Sequence, residues 1–319
     1  MEYSLLRRNE IDEIKWDGCI KNAYNESPLG YSSVLDLICE NWYGLIVNDY
    51  ELVMPIPITK RFGWHFIQMP AEIQNLGVFH KAKNVNINIE DLPNLPCFKP
   101  FRLISYSFVY QNIFSRQGFK ARSTHYLQLG KTYDELRRNY EQRHRSNIRK
   151  VERNGISLFE SNDPTMLFLI RNEMAKSNKE LKMSKATVRA FKLLILKSTN
   201  ADWGTLVYAA KDGKVISGGF FLQGRKRDVF LLSASLNEAK KLSASFGIVD
   251  YYIRKMSGQN RVLDLSGSDI KGIALFLRGF GSIPTTYYQY EYNRLPRVMK
   301  FVKKYNLLRK LKTKLNQLL

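Results

Sequence analysis

Apolar and polar residues alternate most regularly in the C-terminal half of the chain, from Gly155 onward. Runs rich in β-branched and aromatic residues, separated by turn residues, predict a meander of antiparallel strands there. The segments around the meander predict helices, one of them starting at the capping sequence Asn162-Asp163-Pro164. The predicted order is β-α-α-β-β-β-α-β-α-β, with strands at 156–161, 203–210, 215–223, 229–235, 261–265 and 286–293, helices up to 178 and at 186–198, 243–257 and 269–278, and a closing helix.

The N-terminal half follows the same order less clearly. Helices near 11–24 and 33–40 precede strands at 42–48 and 51–58, and the runs FIQMP, RLISYSFV and HYLQL predict further strands. Residues 59–100 contain several prolines and predict irregular structure. We therefore expect an α+β (α/β) fold of two similar domains, each a mixed, mostly antiparallel sheet flanked by helices.

A strongly basic helix is predicted between the two halves. Thr132 and Glu135 have capping-box spacing, and Asn154-Gly155 supplies a stop signal, so one helix is expected over 133–154. Its apolar residues form one face, and arginine and lysine dominate the rest of its surface. This charge indicates either a solvated surface or contacts with phosphates.

The charge of the whole chain favours polyanionic partners. Its 319 residues suffice for two domains, and a hydrophobic content of 44% suffices for two cores. Lys and Arg number 50 against 29 Asp and Glu, a net charge of +21. Such an excess favours RNA, phosphate-bearing substrates or an anionic membrane surface. Ordinary solubilising surface charge is the alternative explanation.

No metal site and no secretion signal are expected. The three cysteines and four histidines are scattered, without the spacing of zinc ligands. The first residues lack the apolar core of a signal peptide, and no apolar run approaches the roughly 18 residues of a membrane span. We therefore expect a cytoplasmic protein without a bound metal.

Two segments resemble signatures of the Fem-type aminoacyl and peptidyl transferases. RHRSNIRKVERNGI, at 143–156, is similar to the motif at the start of their second domain, and LDLSGSDIKGIALFLRGFG, at 263–281, is similar to a second signature of that family. The predicted element order is also that of the GNAT acyltransferases. The resemblance implies GNAT-like domains at 1–130 and 156–293, joined by the basic helix at 131–155 and followed by a basic amphipathic helix at 294–319.

The resemblance implies an N-acyltransferase in which an amine attacks an activated acyl donor. The donor is either an acyl-CoA thioester or an aminoacyl-tRNA, and the acceptor is a small, lipid-linked or nucleotide-linked amine of a cell-envelope or polysaccharide precursor. Arg278 replaces the usual lysine, Leu265 replaces an aromatic residue, and the coiled-coil insertion of some members is absent, which leaves the use of tRNA open. Outside enzymes, the alternative is a degenerate domain pair that binds a polyanion without catalysis.

The loop at 236–247 takes the position at which GNAT enzymes bind the pyrophosphate of coenzyme A. It lacks their [QR]-x-x-G-x-[GA] motif, but a helix N-terminus with small residues still offers backbone N–H groups to a phosphate. The residues expected to bind the donor are Lys240, Lys241, Ser243, Ala244, Ser245 and Gly247.

The chemistry is expected near the end of the strand at 261–265. Acyl transfer to an amine needs a deprotonated amine and a stabilised oxyanion, and it needs no covalent nucleophile. Helix capping is the alternative role for Asp264, and a solvated surface is the alternative for Lys271 and the arginines of the basic helix. The predicted catalytic residues are Asp264, Ser266 and Arg278, and the predicted substrate-binding residues are Gly267, Ser268, Lys271, Arg145, Asn147 and Arg149.

Residues 294–319 form a second basic cluster. They contain no acidic residue, and apolar residues recur among the lysines and arginines at every third or fourth position. Such an amphipathic helix can lie on an anionic membrane, bind RNA or pack against its own domain. A peripheral position at the inner face of the membrane is therefore one expectation.

Overall fold

One long sheet runs through the molecule. The computed structural model describes residues 2–61, 63–81, 96–109, 119–267 and 271–295. Within them the strands are β1 (Tyr3–Arg7), β2 (Trp42–Val47), β3 (Leu52–Arg61), β4 (Trp64–Gln68), β5 (Phe79–His80), β6 (Phe101–Ser107), β7 (Phe119–Gln128), β8 (Ser157–Ser161), β9 (Gly204–Lys211), β10 (Lys214–Gln223), β11 (Arg227–Ser235), β12 (Val262–Asp264) and β13 (Ile283–Asn293). The helices are α1 (Glu13–Asn22), α2 (Ser32–Ile38), α3 (Tyr133–Arg138), α4 (Gln142–Arg153), α5 (Thr165–Ser177), α6 (Lys185–Asn200), α7 (Asn237–Lys241), α8 (Ala244–Met256) and α9 (Lys271–Arg278).

Each half of the chain builds the same sheet pattern. In the N-terminal half β1, β2, β3 and β4 are antiparallel neighbours, and β4 then pairs in parallel with β6. In the C-terminal half β8, β9, β10 and β11 are antiparallel neighbours, and β11 pairs in parallel with β12. Two helices follow the first strand in both halves. The predicted architecture, two similar α+β units with mixed and mostly antiparallel sheets, is confirmed.

The last strands of the two halves are exchanged. β7, which ends the N-terminal half, pairs with β12, and β13, which ends the C-terminal half, pairs with β6. The exchanged strands also pair with each other, 119–126 against 283–290. The full order is β1-β2-β3-β4-β6-β13-β7-β12-β11-β10-β9-β8, with β5 beside β3. The predicted units 1–130 and 156–293 therefore each contribute one strand to the sheet of the other.

Helices approach the sheet closely from both faces. A Cβ atom on Gly218 of β10 would lie 3.2 Å from Leu167 on α5, and one on the next residue, Gly219, would lie 2.7 Å from Ile248 on α8. Since successive residues of a strand point to opposite faces, α5 and α8 lie on opposite faces of the sheet. The glycines allow this close packing around the strand that precedes β11.

The segment predicted as one helix over 133–154 forms two helices, α3 and α4. The side chain of Arg145 folds back, and its Nη1 donates hydrogen bonds to the carbonyl oxygens of Arg138 (3.2 Å) and Tyr140 (2.5 Å). These bonds satisfy carbonyl groups at the C-terminal end of α3. The backbone N–H of Glu141 donates to the carbonyl oxygen of Gly279 (2.9 Å), which ties the break to the end of α9. The bonds of Arg145 and this tertiary contact therefore both stabilise the break between the two helices.

The two motif segments identified in the sequence pack directly against each other. His144 on α4 donates through Nε2 to the carbonyl oxygen of Phe276 on α9 (2.8 Å). A Cβ atom on Gly279 would lie 1.9 Å from the His144 ring, so that position has no space for a larger residue. The Phe246 ring of α8 lies 4.9 Å from both the His144 ring and the Phe276 ring, measured between centroids. Much of the motif pattern thus specifies the packing of α4, α8 and α9.

Two predictions concern residues outside the described ranges, namely Ser268 and nearly all of the basic tail, 296–319. Among the described helices, none is both long enough and apolar enough to cross a membrane. The described residues also contain no group of three or more His, Cys, Asp and Glu side chains arranged to hold a metal ion.

Candidate active site

The parallel strands β11 and β12 separate after a short ladder. They are paired only over 227–229 and 262–264, and β11 then continues beside β10 to Ser235. At the point of separation the hydroxyl of Ser266 donates a hydrogen bond to the carbonyl oxygen of Phe230 (2.9 Å). Beyond this bond no described strand pairs with the second edge of β11. Alternate backbone groups of that edge point into the opening.

A bulge lies on β11 beside this opening. Phe220 pairs with Leu232, whereas the next residue, Phe221, pairs with Phe230, so Leu231 is an extra residue in β11. A bulge turns backbone groups away from the regular ladder and often lies next to an active site. Backbone N–H groups in such a position are suited to stabilise the oxygen of an acyl carbonyl as negative charge develops on it.

A buried arginine on α5 connects the opening to the N-terminal half. Arg171 is 9% exposed, donates to the carboxylate of Glu72 and lies with Nη1 3.5 Å from the carbonyl oxygen of Ser233 on β11. It shares one face of α5 with Leu167 and Ile170, which are buried. Sequence reasoning missed Arg171, although a lone arginine at helical spacing among apolar residues is a signal of a buried charge that needs a partner.

Asp264 stabilises the turn that follows β12. Its Oδ1 accepts hydrogen bonds from Thr124 Oγ1 (2.7 Å) and from the backbone N–H of Ser266 (2.9 Å). Ser266 has a φ of +61°, a conformation that costs free energy for a residue other than glycine. Burial raises the pKa of the Asp264 carboxyl, and the positive charge of Arg227 only partly offsets this rise. Asp264 is 2% exposed and is linked to the opening by its bond to Ser266.

A polar cleft of about 480 Å³ lies between the two halves, next to this turn. Gln74, from the N-terminal half, accepts a hydrogen bond at Oε1 from the N–H of Gly267 (2.6 Å) and donates one from Nε2 to the carbonyl oxygen of Gly267. A Cβ atom on Gly267 would lie 1.7 Å from the carbonyl oxygen of Ser123, so glycine is needed where these two segments of the chain cross. The polar groups of β6, β7 and β13 in the lining are Ser105, Ser107, Arg122, Ser123, Tyr287 and Gln289.

The predicted donor loop lies at the same end of the sheet as the opening. β11 leads directly into it, and the loop forms α7 and the start of α8. Ser243 precedes α8 with a φ of +64°, and its hydroxyl donates to Oδ1 of Asn147 on α4 (3.0 Å). Lys240 and Lys241 are exposed at the end of α7. The loop thus combines a helix N-terminus with two lysines, the arrangement expected for a phosphate.

The other predicted donor residues are divided between the loop surface and the core. Ser245 is half-buried, and its hydroxyl oxygen lies 2.8 Å from that of Ser235 at the end of β11. Ala244 and Gly247 are buried. A Cβ atom on Gly247 would lie 3.0 Å from Val151, so this glycine brings α8 close to α4. Gly247 therefore positions the helix whose N-terminus faces the loop.

Arg278 lies apart from Asp264. It is exposed at the end of α9, with its Nε 3.6 Å from the carboxylate of Glu141. Its positive charge adds to the effect of burial in lowering the pKa of His125. Since His125 and Thr124 are successive residues of β7, they face opposite sides of the sheet. Thr124 bonds to Asp264, whereas Leu127, on the His125 face of β7, packs in one core with Leu277 of α9, so Asp264 and α9 with Arg278 lie on opposite faces.

The remaining predicted substrate residues are also separated from one another. Asn147 bonds to Ser243 in the donor loop, whereas Arg145 and Arg149 line a groove between α3 and α4. Residues two apart on a helix project to different sides, so one surface cannot use all three. Lys271 is exposed at the first residue of α9. The structure therefore groups Asp264, Ser266 and Gly267 at the turn beside the cleft, places Asn147 against the donor loop, and places Arg145 and Arg149 in a separate groove.

Comparison with known proteins gives solved structures of the same fold. No family model matches the sequence, and no curated protein matches it. FemX has a TM-score of 0.65 at 14% identity, over 92% of this chain and 98% of FemX. A tandem GNAT protein from the clavulanic acid biosynthesis pathway has a TM-score of 0.52 at 8% identity, over 92% and 99% of the two chains. L-PGS from Bacillus licheniformis has a TM-score of 0.51 at 9% identity, over 91% and 95%.

The chain has the fold of FemX and of tandem GNAT proteins. The resemblance inferred from the two sequence motifs is thereby confirmed at the level of fold. In both halves the meander of antiparallel strands ends in a parallel pair of strands. The opening described above belongs to the pair of the C-terminal half, β11 and β12.

Proposed function

We propose that this protein is an N-acyltransferase that moves an acyl group from an acyl-CoA-type thioester to an amine of a cell-envelope or polysaccharide precursor. The opening between β11 and β12, with the bulge at Leu231 on its edge, is the observation that supports it most directly. The fold shared with a tandem GNAT protein and with FemX supports the same reaction class.

The donor in this proposal spans the loop and the opening. Its phosphates lie at the N-terminus of α8, where backbone N–H groups and the helix dipole favour an anion. Lys240 and Lys241 supply further positive charge beside them. The acyl group lies between β11 and β12, with its carbonyl oxygen toward the backbone of the bulge.

The acceptor amine enters from the polar cleft between the halves. Its nitrogen attacks the thioester carbonyl carbon, the C–N bond forms as the C–S bond breaks, the amine loses a proton and the thiolate gains one. The edge of β11 stabilises the oxyanion, and Asp264 keeps Ser266 at the point of strand separation as a positioning residue. Direct catalytic roles for Asp264, Ser266 and Arg278 stay predictions.

Donor binding is the first test of this proposal. The thermal midpoint of the full chain is measured with coenzyme A, acetyl-CoA and longer acyl-CoAs, and with polyphosphate of matched charge, because a chain of net charge +21 binds polyanions nonspecifically. We expect acyl-CoA to raise the midpoint more than polyphosphate does. The double variant Lys240→Ala/Lys241→Ala should lose this difference.

The matched control removes two exposed lysines from α6, Lys185→Ala/Lys197→Ala, with the same change in charge. It should keep the acyl-CoA response. Equal losses in the two double variants, or equal responses to acyl-CoA and polyphosphate in the wild type, would count against a thioester donor.

An aminoacyl-tRNA is the second candidate donor. The similarity to FemX and the net charge of +21 both favour it. If acyl-CoA produces no specific stabilisation while amino-acid transfer occurs and is abolished by ribonuclease, this donor replaces the thioester. If neither donor acts and the cellular role survives Asp264→Asn and Arg278→Ala, the protein is a polyanion-binding pair without catalysis.

A further inference from the structure

The break between α3 and α4 forms a groove whose lining is dominated by arginine. The groove has a volume of about 500 Å³ and is lined by Asp134, Arg137, Arg138, Arg145 and Arg149. α3 and α4 each contribute two of the guanidinium groups. The concave shape follows from the helix break, because a continuous helix would present these arginines around a convex cylinder.

One of the four guanidinium groups is held in place by hydrogen bonds, and a second lies beside an aromatic ring. Nη1 of Arg145 donates to the carbonyl oxygens of Arg138 and Tyr140, which fixes one side of the fork and leaves the other nitrogens available. The guanidinium of Arg137 lies 6.0 Å from the centre of the Tyr133 ring, and Tyr133 in turn donates to the carboxylate of Asp250 (2.9 Å). The groove is therefore partly preorganised, unlike a set of freely moving surface side chains.

The four guanidinium groups outnumber the acids around the groove in the described part of the chain, where Glu135 acts on Arg138 and Asp250 on Arg137 only at longer range. None of the four arginines forms an ion pair with a carboxylate of the described residues, and Asp134 is the one acid in the lining. Like charges held this close repel each other, and a bound anion would remove that repulsion. Guanidinium forks match the oxygen atoms of phosphate in pairs of hydrogen bonds.

We propose that this groove is a binding site for a diphosphate group, separate from the donor and acceptor sites. Each helix supplies two guanidinium groups, which suits a ligand with two linked phosphates. Asn147 marks the side of α4 that faces the donor loop, whereas Arg145 and Arg149 lie on the side that faces the groove. The site is independent of the reaction proposed above and holds whichever donor the protein uses.

Calorimetric titration of the full chain with inorganic pyrophosphate tests the site, with sulfate as the single-anion comparison. We expect saturable pyrophosphate binding that is stronger than sulfate binding at the same ionic strength. The variant Arg138→Gln/Arg149→Gln removes two exposed guanidinium groups and leaves the bonds of Arg145 intact. It should weaken pyrophosphate binding at least about tenfold, because two groups that form charge-assisted hydrogen bonds are lost.

The control variant Arg153→Gln/Arg189→Gln removes the same charge from exposed positions of α4 and α6 outside the groove. It should bind pyrophosphate as the wild type does. Equal weakening in both variants would show attraction by net charge and overturn the site, as would binding that never saturates. The acyl-CoA thermal shift, measured on the same groove variant, should be unchanged, so failure of the groove and failure of the donor site are distinguished.

Discussion

At the scale of single residues, buried carboxyl groups inside the sheet show how burial and pairing compete. Asp228, at the start of β11, is fully buried and accepts hydrogen bonds from Tyr252 (3.0 Å) and from Nη1 of Arg261 (3.0 Å). Burial raises the pKa of Asp228 to about 6, because the charge of Arg261 and the hydrogen bonds only partly compensate for the loss of water. The ionised carboxylate is therefore a cost to the folded state.

This cost predicts a pH dependence of stability. The native pKa of about 6 lies above the ordinary value of 3.8, so the native state binds the proton more tightly than the unfolded state does. The contribution of Asp228 to the free energy of unfolding is fully present below pH 4 and is lost as the pH rises through about 6. Relative to Asp228→Asn, the wild type should lose on the order of 2–3 kcal/mol between these limits.

Urea unfolding of both proteins across this pH range measures the difference, since most other titrating groups cancel between them. A difference between wild type and variant that stays constant with pH would contradict the raised pKa. If Asp228→Asn also weakens the hydrogen bonds of Tyr252 and Arg261, its free energy of unfolding changes by the same amount at every pH. The change of the difference with pH is therefore the decisive quantity.

At the scale of elements, the side chain of Arg145 stabilises the break between α3 and α4. Arg145 satisfies two carbonyl groups that a continuous helix would have bonded internally. The same break exposes the arginines of the groove and brings Glu141 to the carbonyl of Gly279. A local feature of one helix end therefore shapes a surface and a tertiary contact at once.

The variant Arg145→Ala should loosen α3 without unfolding the protein. Loss of two hydrogen bonds to carbonyl groups predicts a decrease in the free energy of unfolding of about 1–2 kcal/mol and faster amide exchange over 134–138. Arg149→Ala, one turn later on the same helix, is the control and should change stability by less than about 0.5 kcal/mol. Equal exchange rates over 134–138 in both variants would show that Arg145 does not close α3.

At the scale of the whole molecule, the exchanged strands join the two halves into one folding unit. β7 covers the edge of β12, and β13 covers the edge of β6. The carboxylate of Glu26 also accepts hydrogen bonds from the backbone N–H groups of Arg225 (3.1 Å) and Lys226 (2.9 Å), in the turn before β11. Separation of the halves would expose two strand edges and leave these buried groups without partners.

Cutting the chain between 130 and 131 is therefore expected to prevent independent folding of either fragment. The fragment 131–319 lacks β7, so the edge of β12 is uncovered, whereas the fragment 119–319 retains β7 and should show more protected amides. Circular dichroism and amide exchange of the separate and mixed fragments provide the measurement, and mixing should restore structure. Cooperative unfolding of each isolated fragment would support two autonomous domains at the predicted boundaries.

The local pattern of the sequence determined most elements of the C-terminal half. Strands 203–210, 215–223 and 229–235 were predicted within one or two residues of β9, β10 and the end of β11, because their alternation and turn residues are local properties. The N-terminal half was less clear because prolines lie within β3 and in the sequence between the later strands. The short helix α7 is absent from the prediction, because the segment at 236–247 is predicted as a phosphate-binding loop.

The sequence by itself determined the fold class, the order of most elements in the C-terminal half and the two motifs, because hydrophobic periodicity, capping and glycine spacing act over a few residues. Only the tertiary structure decided which strands exchange, which side of α4 faces the donor loop, and that Asp264 and Arg278 lie on opposite faces of the sheet. Gln74 and Gly267 are far apart in the chain and meet only across the cleft. Such contacts depend on the packing of distant segments, and no local pattern of residues encodes them.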